Sequence, residues 1–178
     1  MLQMFGFERV AMVLSDLYFV DPAPEPGQEG AERGVRLELR RLVAGEIEGS
    51  IYAARPITVA DPLWRIDLLE TVDGPPGSFD RTHHHPRFEG WEPGGRRFVP
   101  ELGAAPLDWL EARLRDLGPV LAAAGVGADD VSGADIEGIR DAAPAIVAAT
   151  RWLLNEVHEG RLAVAPDEHA TSARISWL

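Results

Sequence analysis

At 178 residues the chain fits one domain with a core of its own, and a net charge of −12 sets it apart from basic nucleic-acid-binding modules. Cysteine and lysine are both missing, which excludes thiolate nucleophiles, cysteine zinc sites, disulfides, Schiff-base chemistry and a P-loop lysine. No run approaches the ~20 apolar residues of a membrane-spanning helix, and the N-terminus has no basic start or small-residue cleavage site, so the expected location is cytoplasmic.

Residues 5–20 are rich in Val, Leu, Phe and Tyr and predict one long or two short strands. Residues 21–34, with Pro22, Pro24 and Pro26, predict a solvated loop. From Val35 to Arg40, apolar residues alternate with Arg36, Glu38 and Arg40, as in a strand with one dry and one wet face. A turn at Gly45–Gly49 precedes a strand at Ile51–Val59; Asp61-Pro62 predicts a corner before a further strand, Leu63–Val72. Short links favour antiparallel pairing. Asp73-Gly74-Pro75-Pro76-Gly77 then breaks the chain.

After Pro100 the pattern turns helical. Leu107, Leu110, Leu114, Leu117 and Leu121 form one apolar stripe, interrupted at Gly118-Pro119. Asp135 is the expected N-cap of a second helical run, bent or broken near Pro144 and stopped at Gly160. The tail, 161–178, is expected to add a strand near Arg174–Leu178. One domain, 1–178, is therefore expected: strands and loops over 1–100, helices over 101–160, then the tail. The fold class is α+β, an antiparallel sheet from the N-terminal half with two or three C-terminal helices on one face. The other face should be wet or should hold the site.

Three of the five histidines are adjacent, His83, His84 and His85, between Asp80 and Pro86. Imidazole titrates near neutrality and is the commonest metal ligand. On an extended segment His83 and His85 share a side and His84 faces away. Two imidazoles make half of a divalent transition-metal site. Asp80 and Glu89 are the local candidates to complete it; Asp67, His158 and His169 are distant ones. The expected metal set is His83, His85 and Glu89. Arg65 and Asp67 share one side of their strand and predict either a buried ion pair or a cleft floor. Which side of Leu63–Val72 is buried stays open, since Trp64, Ile66 and Leu68 occupy the other.

Gly77, His83, His85, Glu89 and Gly95 run as G-x5-H-x-H-x3-E-x5-G. This resembles the first metal-binding motif of the cupin β-barrels, whose proteins bind divalent ions, with the last gap one residue shorter. The resemblance is confined to residues 77–95, and where the second cupin motif would follow, this chain becomes helical. That helical continuation accords with the α+β expectation.

Three functions are consistent with these residues. A non-catalytic binding or interaction protein, potentially a homodimer, fits the incomplete catalytic inventory. A metal-dependent enzyme or metal-binding protein would use His83 and His85 with Asp80 or Glu89. A metal-free acid–base hydrolase, such as a small ribonuclease, would use two histidines with Arg81, Arg87, Arg96 and Arg97, against the acidic surface. Nucleic acid is an unfavoured partner and no membrane partner is expected.

Overall fold

The computed structural model describes residues 1–166. Five strands form one antiparallel meander in chain order: β1 (Leu2–Gly6), β2 (Val10–Val20), β3 (Ala31–Ala44), β4 (Ile57–Thr71) and β5 (His83–His85). A short hairpin follows, β6 (Phe88–Glu89) with β7 (Glu92–Pro93). Four helices complete the described chain: α1 (Pro100–Ala104), α2 (Pro106–Arg115), α3 (Gly118–Ala124) and α4 (Gly133–His158). The fold is α+β, as the order of strands and helices predicts. No helix among the described residues is long and apolar enough to cross a membrane.

The 5–20 segment resolves into two strands. Other expectations are corrected. The expected Ile51–Val59 and Leu63–Val72 strands meet in one continuous strand that starts only at Ile57: residues 51–56 are turn and loop, and Asp61-Pro62 sits at a β-bulge rather than a corner. Proline lacks the N–H of a sheet ladder, and the register shifts opposite it absorb that loss. Arg40 Nε donates to Ala60 O at 2.8 Å across the irregularity. Likewise α4 runs through Pro144 as one helix. Its N-cap is Ser132, and Asp135 is the reciprocal residue of a capping box. Gly118-Pro119 does end one helix and start the next, with proline in the first turn. Gly160 takes a left-handed conformation (φ 71°) just beyond α4. The expected strand at Arg174–Leu178 lies outside the described residues.

The period of two sorts the sheet into two faces. Met12, Leu14, Leu37, Leu39, Trp64, Ile66 and Leu68 face the helices and pack against Leu110, Leu114, Ile139 and Ile146. This settles which side of β4 meets the core: Trp64, Ile66 and Leu68 do. The opposite face of β3 and β4 carries Glu32, Arg36, Glu38, Arg65 and Asp67, and of the two expectations for it, wet or holding the site, wetness does not hold. Glu32, Glu38 and Asp67 are all buried. Gly34 lies in this face with φ 155°, where an added Cβ would stand 2.0 Å from Leu68 O; the strands approach that closely only because the residue is glycine.

Candidate metal centre

Register builds the site. In β4–β5 pairing Asp67 stands opposite His83 and Arg65 opposite His85, while Ile66 faces His84. In β3–β4 pairing Arg36 stands opposite Asp67 and Glu38 opposite Arg65. Two rows therefore cross the sheet side by side: Arg36–Asp67–His83 and Glu38–Arg65–His85. Directly opposed side chains on antiparallel strands are closer than side chains two residues apart on one strand. Arg65 and Asp67 accordingly do not pair with each other. Arg36 Nε and Nη2 donate to Asp67 Oδ1 and Oδ2 at 2.7 and 3.1 Å, and Arg65 Nε donates to Glu38 Oε1 at 2.8 Å. Arg40 Nη1 takes the other Glu38 oxygen at 3.0 Å.

The loop before β5 is tied down from several sides. Asp80 accepts from Thr71 N, Thr71 Oγ1 and Ser78 Oγ at 2.8–3.1 Å. Thr82 Oγ1 donates to Leu69 O, and Gly77 N donates to Glu70 Oε2. Burial alone would raise the Asp80 carboxyl; the Thr71 and Ser78 donors reverse this and hold it below its ordinary value. Asp80 thus locks the loop that sets the β5 register and stands apart from the two rings. Glu89 is exposed on the β6–β7 hairpin, paired in register with Glu92. The hairpin lies along the charged face, with Phe88 under the Arg65 guanidinium and Trp91 under that of Arg40, each 5.0 Å from ring centroid to Cζ.

The carboxylate that meets the histidines is Asp67. Asp67, His83 and His85 offer ligand atoms that all lie within 4.8 Å of one another, and no other such group of three occurs among the described residues. His83 Nε2 is 3.4 Å and His85 Nε2 is 3.6 Å from Asp67 Oδ2. The far nitrogens are anchored: His83 Nδ1 donates to Arg81 O at 2.7 Å and His85 Nδ1 donates to Gly94 O at 2.6 Å. A carbonyl oxygen only accepts, so both Nδ1 atoms carry protons. In the neutral rings, both Nε2 lone pairs then point toward an anionic oxygen.

Two protonated rings do not fit this arrangement. Oδ2 already accepts from Arg36 Nη2, so two imidazolium donors would make three donors on an oxygen with two lone pairs. The Nε2–Oδ2 separations are also longer than charge-assisted hydrogen bonds, which run ~2.7–2.9 Å. They match an ion with bonds of ~2.0–2.1 Å, whose tetrahedral neighbours lie roughly 3.4 Å apart. Anchoring of the outer ring nitrogen on a backbone carbonyl is the usual orientation of a ligating histidine. Burial alone would push the Asp67 carboxyl up, but the Arg36 charge and the Arg36 hydrogen bonds hold it well below its ordinary value. It is a carboxylate at any physiological pH.

His84 points to the helix side, where Trp64 Nε1 donates to its Nδ1 at 3.4 Å. Burial, then the charges of Arg97, His85, Arg113 and His83, push its pKa down to about 4. His158 ends α4 beside Glu70, with Nε2 3.4 Å from Oε2, on the helix side of the sheet. His169 lies outside the described residues. Of the arginines near the histidines, Arg96 binds Glu32 and Gln28, and Arg81 binds the carbonyls of Gly27 and Glu29. Both tie the 21–30 loop to the sheet.

Sequence reasoning missed Arg36 and Glu38 as partners of this site. The signal was present in the alternation of 35–40, which aligns two opposite charges with Asp67 and Arg65 once β3 and β4 pair two residues at a time. The cupin-like spacing does not describe the observed group, since Asp67 takes the place expected of Glu89 and the sheet is an open meander. No family model matches this chain, and no curated protein or solved structure matches it.

Proposed function

We propose that the protein binds one divalent transition-metal ion through Asp67 Oδ2, His83 Nε2 and His85 Nε2. The observation that carries this reading is the pair of Nδ1–carbonyl hydrogen bonds, which turns both unprotonated nitrogens toward a single carboxylate oxygen. Two imidazoles and one carboxylate suit zinc, iron(II) or manganese, and three protein ligands are the count of a catalytic rather than a closed structural site. An ion held there by Asp67, His83 and His85 would supply an activated water, and the reaction class would be metal-assisted hydrolysis. Arg36 keeps Asp67 ionised and fixes its carboxylate plane, leaving one lone pair on Oδ2 for the ion. Arg65, paired to Glu38 in the row beside His85, brings positive charge next to any anionic group that develops there.

Asp67 and His83 are each 1% exposed and His85 is 7% exposed, which favours a second reading: a metal-binding interaction protein without turnover. Both readings need the ion. Purified full-length protein, dialysed against zinc, iron(II) or manganese and then buffer, is expected to retain about one ion per chain by mass spectrometry. The double variant His83→Ala, His85→Ala should retain none while keeping its circular dichroism spectrum. Equal metal content in the two proteins would overturn the proposal.

A further inference from the structure

On the helix side of β5, directly behind the metal centre, a cleft of about 260 Å³ opens between His84, Trp64, Trp109, Arg97, Arg113 and Val120. Its floor is apolar and aromatic: Trp64 and Trp109 lie 6.2 Å apart, and His84 stands 5.4 Å from Trp109, centroid to centroid. The polar side-chain groups lining it are all donors. Trp64 Nε1 donates to His84 Nδ1, so the proton of the neutral His84 ring sits on Nε2. Arg113 stacks on Trp109 with its Cζ 5.0 Å from the ring centroid. Arg97 is held at the rim by its backbone, which exchanges hydrogen bonds of 3.1 and 2.9 Å with His84.

The guanidinium donors of the cleft lack a charged partner. Arg96 and Arg115 are paired with Glu32 and Glu111, whereas Arg97 and Arg113 make no ion pair among the described residues. No carboxylate lines the cleft, in a chain of net charge −12. A concave site with an apolar floor and convergent, unanswered donors is built for an acceptor-rich ligand.

We propose that this cleft binds a small organic anion with an aromatic body, its carboxylate or phosphate held by Arg97 and Arg113 while the ring rests among Trp64, Trp109 and Val120. Two guanidiniums exclude a cation. The tryptophan floor distinguishes the ligand from a bare inorganic anion. The volume lies just below that of drug-sized ligand pockets, which suits a single ring with one anionic group. The site shares no residue with the metal centre and does not depend on it.

The test is a titration of the full chain followed by tryptophan fluorescence and calorimetry, with benzoate, phenyl phosphate, benzamide and inorganic phosphate as probes. Benzoate or phenyl phosphate should bind saturably, and at least tenfold more tightly than benzamide or inorganic phosphate. The stronger of the two identifies the anionic group. Arg97→Gln with Arg113→Gln, both on the rim, should weaken that binding at least tenfold. His83→Ala, on the other side of β5, should leave it unchanged. Failure of all four probes to saturate would overturn the assignment. So would binding of the stronger anion no tighter than its own control, benzamide for benzoate or inorganic phosphate for phenyl phosphate, or an arginine double variant that binds like the wild type.

Discussion

The two faces of the sheet are both buried, yet by opposite means. On the helix face Met12, Leu14, Leu37, Leu39 and Ile66 are excluded from water by side chains that need nothing but contact. On the other face Glu32, Glu38 and Asp67 are as deeply buried, and each is held by arginines from a neighbouring strand or the 96–98 segment. Contact tolerates rearrangement; a buried charge does not, because removing either partner strands the other. The apolar face therefore carries the fold, and the paired face carries the geometry that a metal centre requires.

The largest expected effect is on the apolar face. Trp64→Ala removes a ring that is 2% exposed and should cost about 3–5 kcal/mol in urea unfolding, as large core truncations do. Because Trp64 also carries the hydrogen bond to His84, the variant should lose the ordered helix side of β5 first. A loss under about 1 kcal/mol would mean that the helices cover the sheet loosely.

Next comes the pair at the centre of the charged face. Asp67→Ala leaves Arg36 largely buried without its carboxylate and should cost about 3 kcal/mol. Replacing both, Arg36→Met with Asp67→Leu, should return stability to within about 1 kcal/mol of wild type, because two apolar groups leave no charge stranded. Metal content should stay at zero in both proteins. That combination, stability recovered and metal lost, separates the architectural role of the pair from the ligand role of Asp67. A double variant as unstable as the single would show that the charged face is held by shape rather than by pairing.

This comparison also shows what could be read from residues alone. The alternation at 35–40 and the shared side of His83 and His85 follow from a period of two, and both are present in the sheet. The choice of carboxylate was not legible in the same way. Glu89 is four residues from His85 and Asp67 is sixteen from His83, so proximity in sequence favoured the wrong neighbour; only strand register brings Asp67 opposite His83. Whether the charged face is wet or holds the site stayed open, because a single strand cannot show that its partner carries the complementary charges. Local proline rules also overstated breaks: Pro62 sits at a bulge, and Pro144 sits within a helix anchored along its length by Ile139, Ile146 and Leu153.

A smaller effect tests how the helices are joined to the sheet. Asp135 Oδ2 accepts from Ser132 N, and Oδ1 accepts from Arg9 N in the β1–β2 turn at 2.9 Å. Burial would raise this carboxyl, but the Arg9, Ser132 and Glu8 donors hold it below its ordinary value. A carboxyl depressed in the folded state stabilises the protein above its unfolded pKa, about 3.9, and loses that contribution as pH falls through the lower folded value. Asp135→Asn should therefore cost about 1 kcal/mol at pH 7 and flatten the fall in stability below about pH 4. An unchanged acid limb would place the acid sensitivity on the sheet's charged face instead, with Asp67 as its main source.

The smallest expected effect is the one that most sharply divides the hairpin from the sheet beneath it. Glu89 is exposed, and its side chain makes no hydrogen bond or ion pair among the described residues. Glu89→Gln should change stability by less than about 0.5 kcal/mol and leave one ion per chain in the dialysis assay. Asp67→Asn, which keeps shape and one oxygen but removes the charge, should lose the ion. If instead Glu89→Gln released the metal and Asp67→Asn kept it, the hairpin would have to fold its carboxylate inward over His85. The Arg36–Asp67 pair would then be purely architectural, and the two rows of charge would serve the sheet alone.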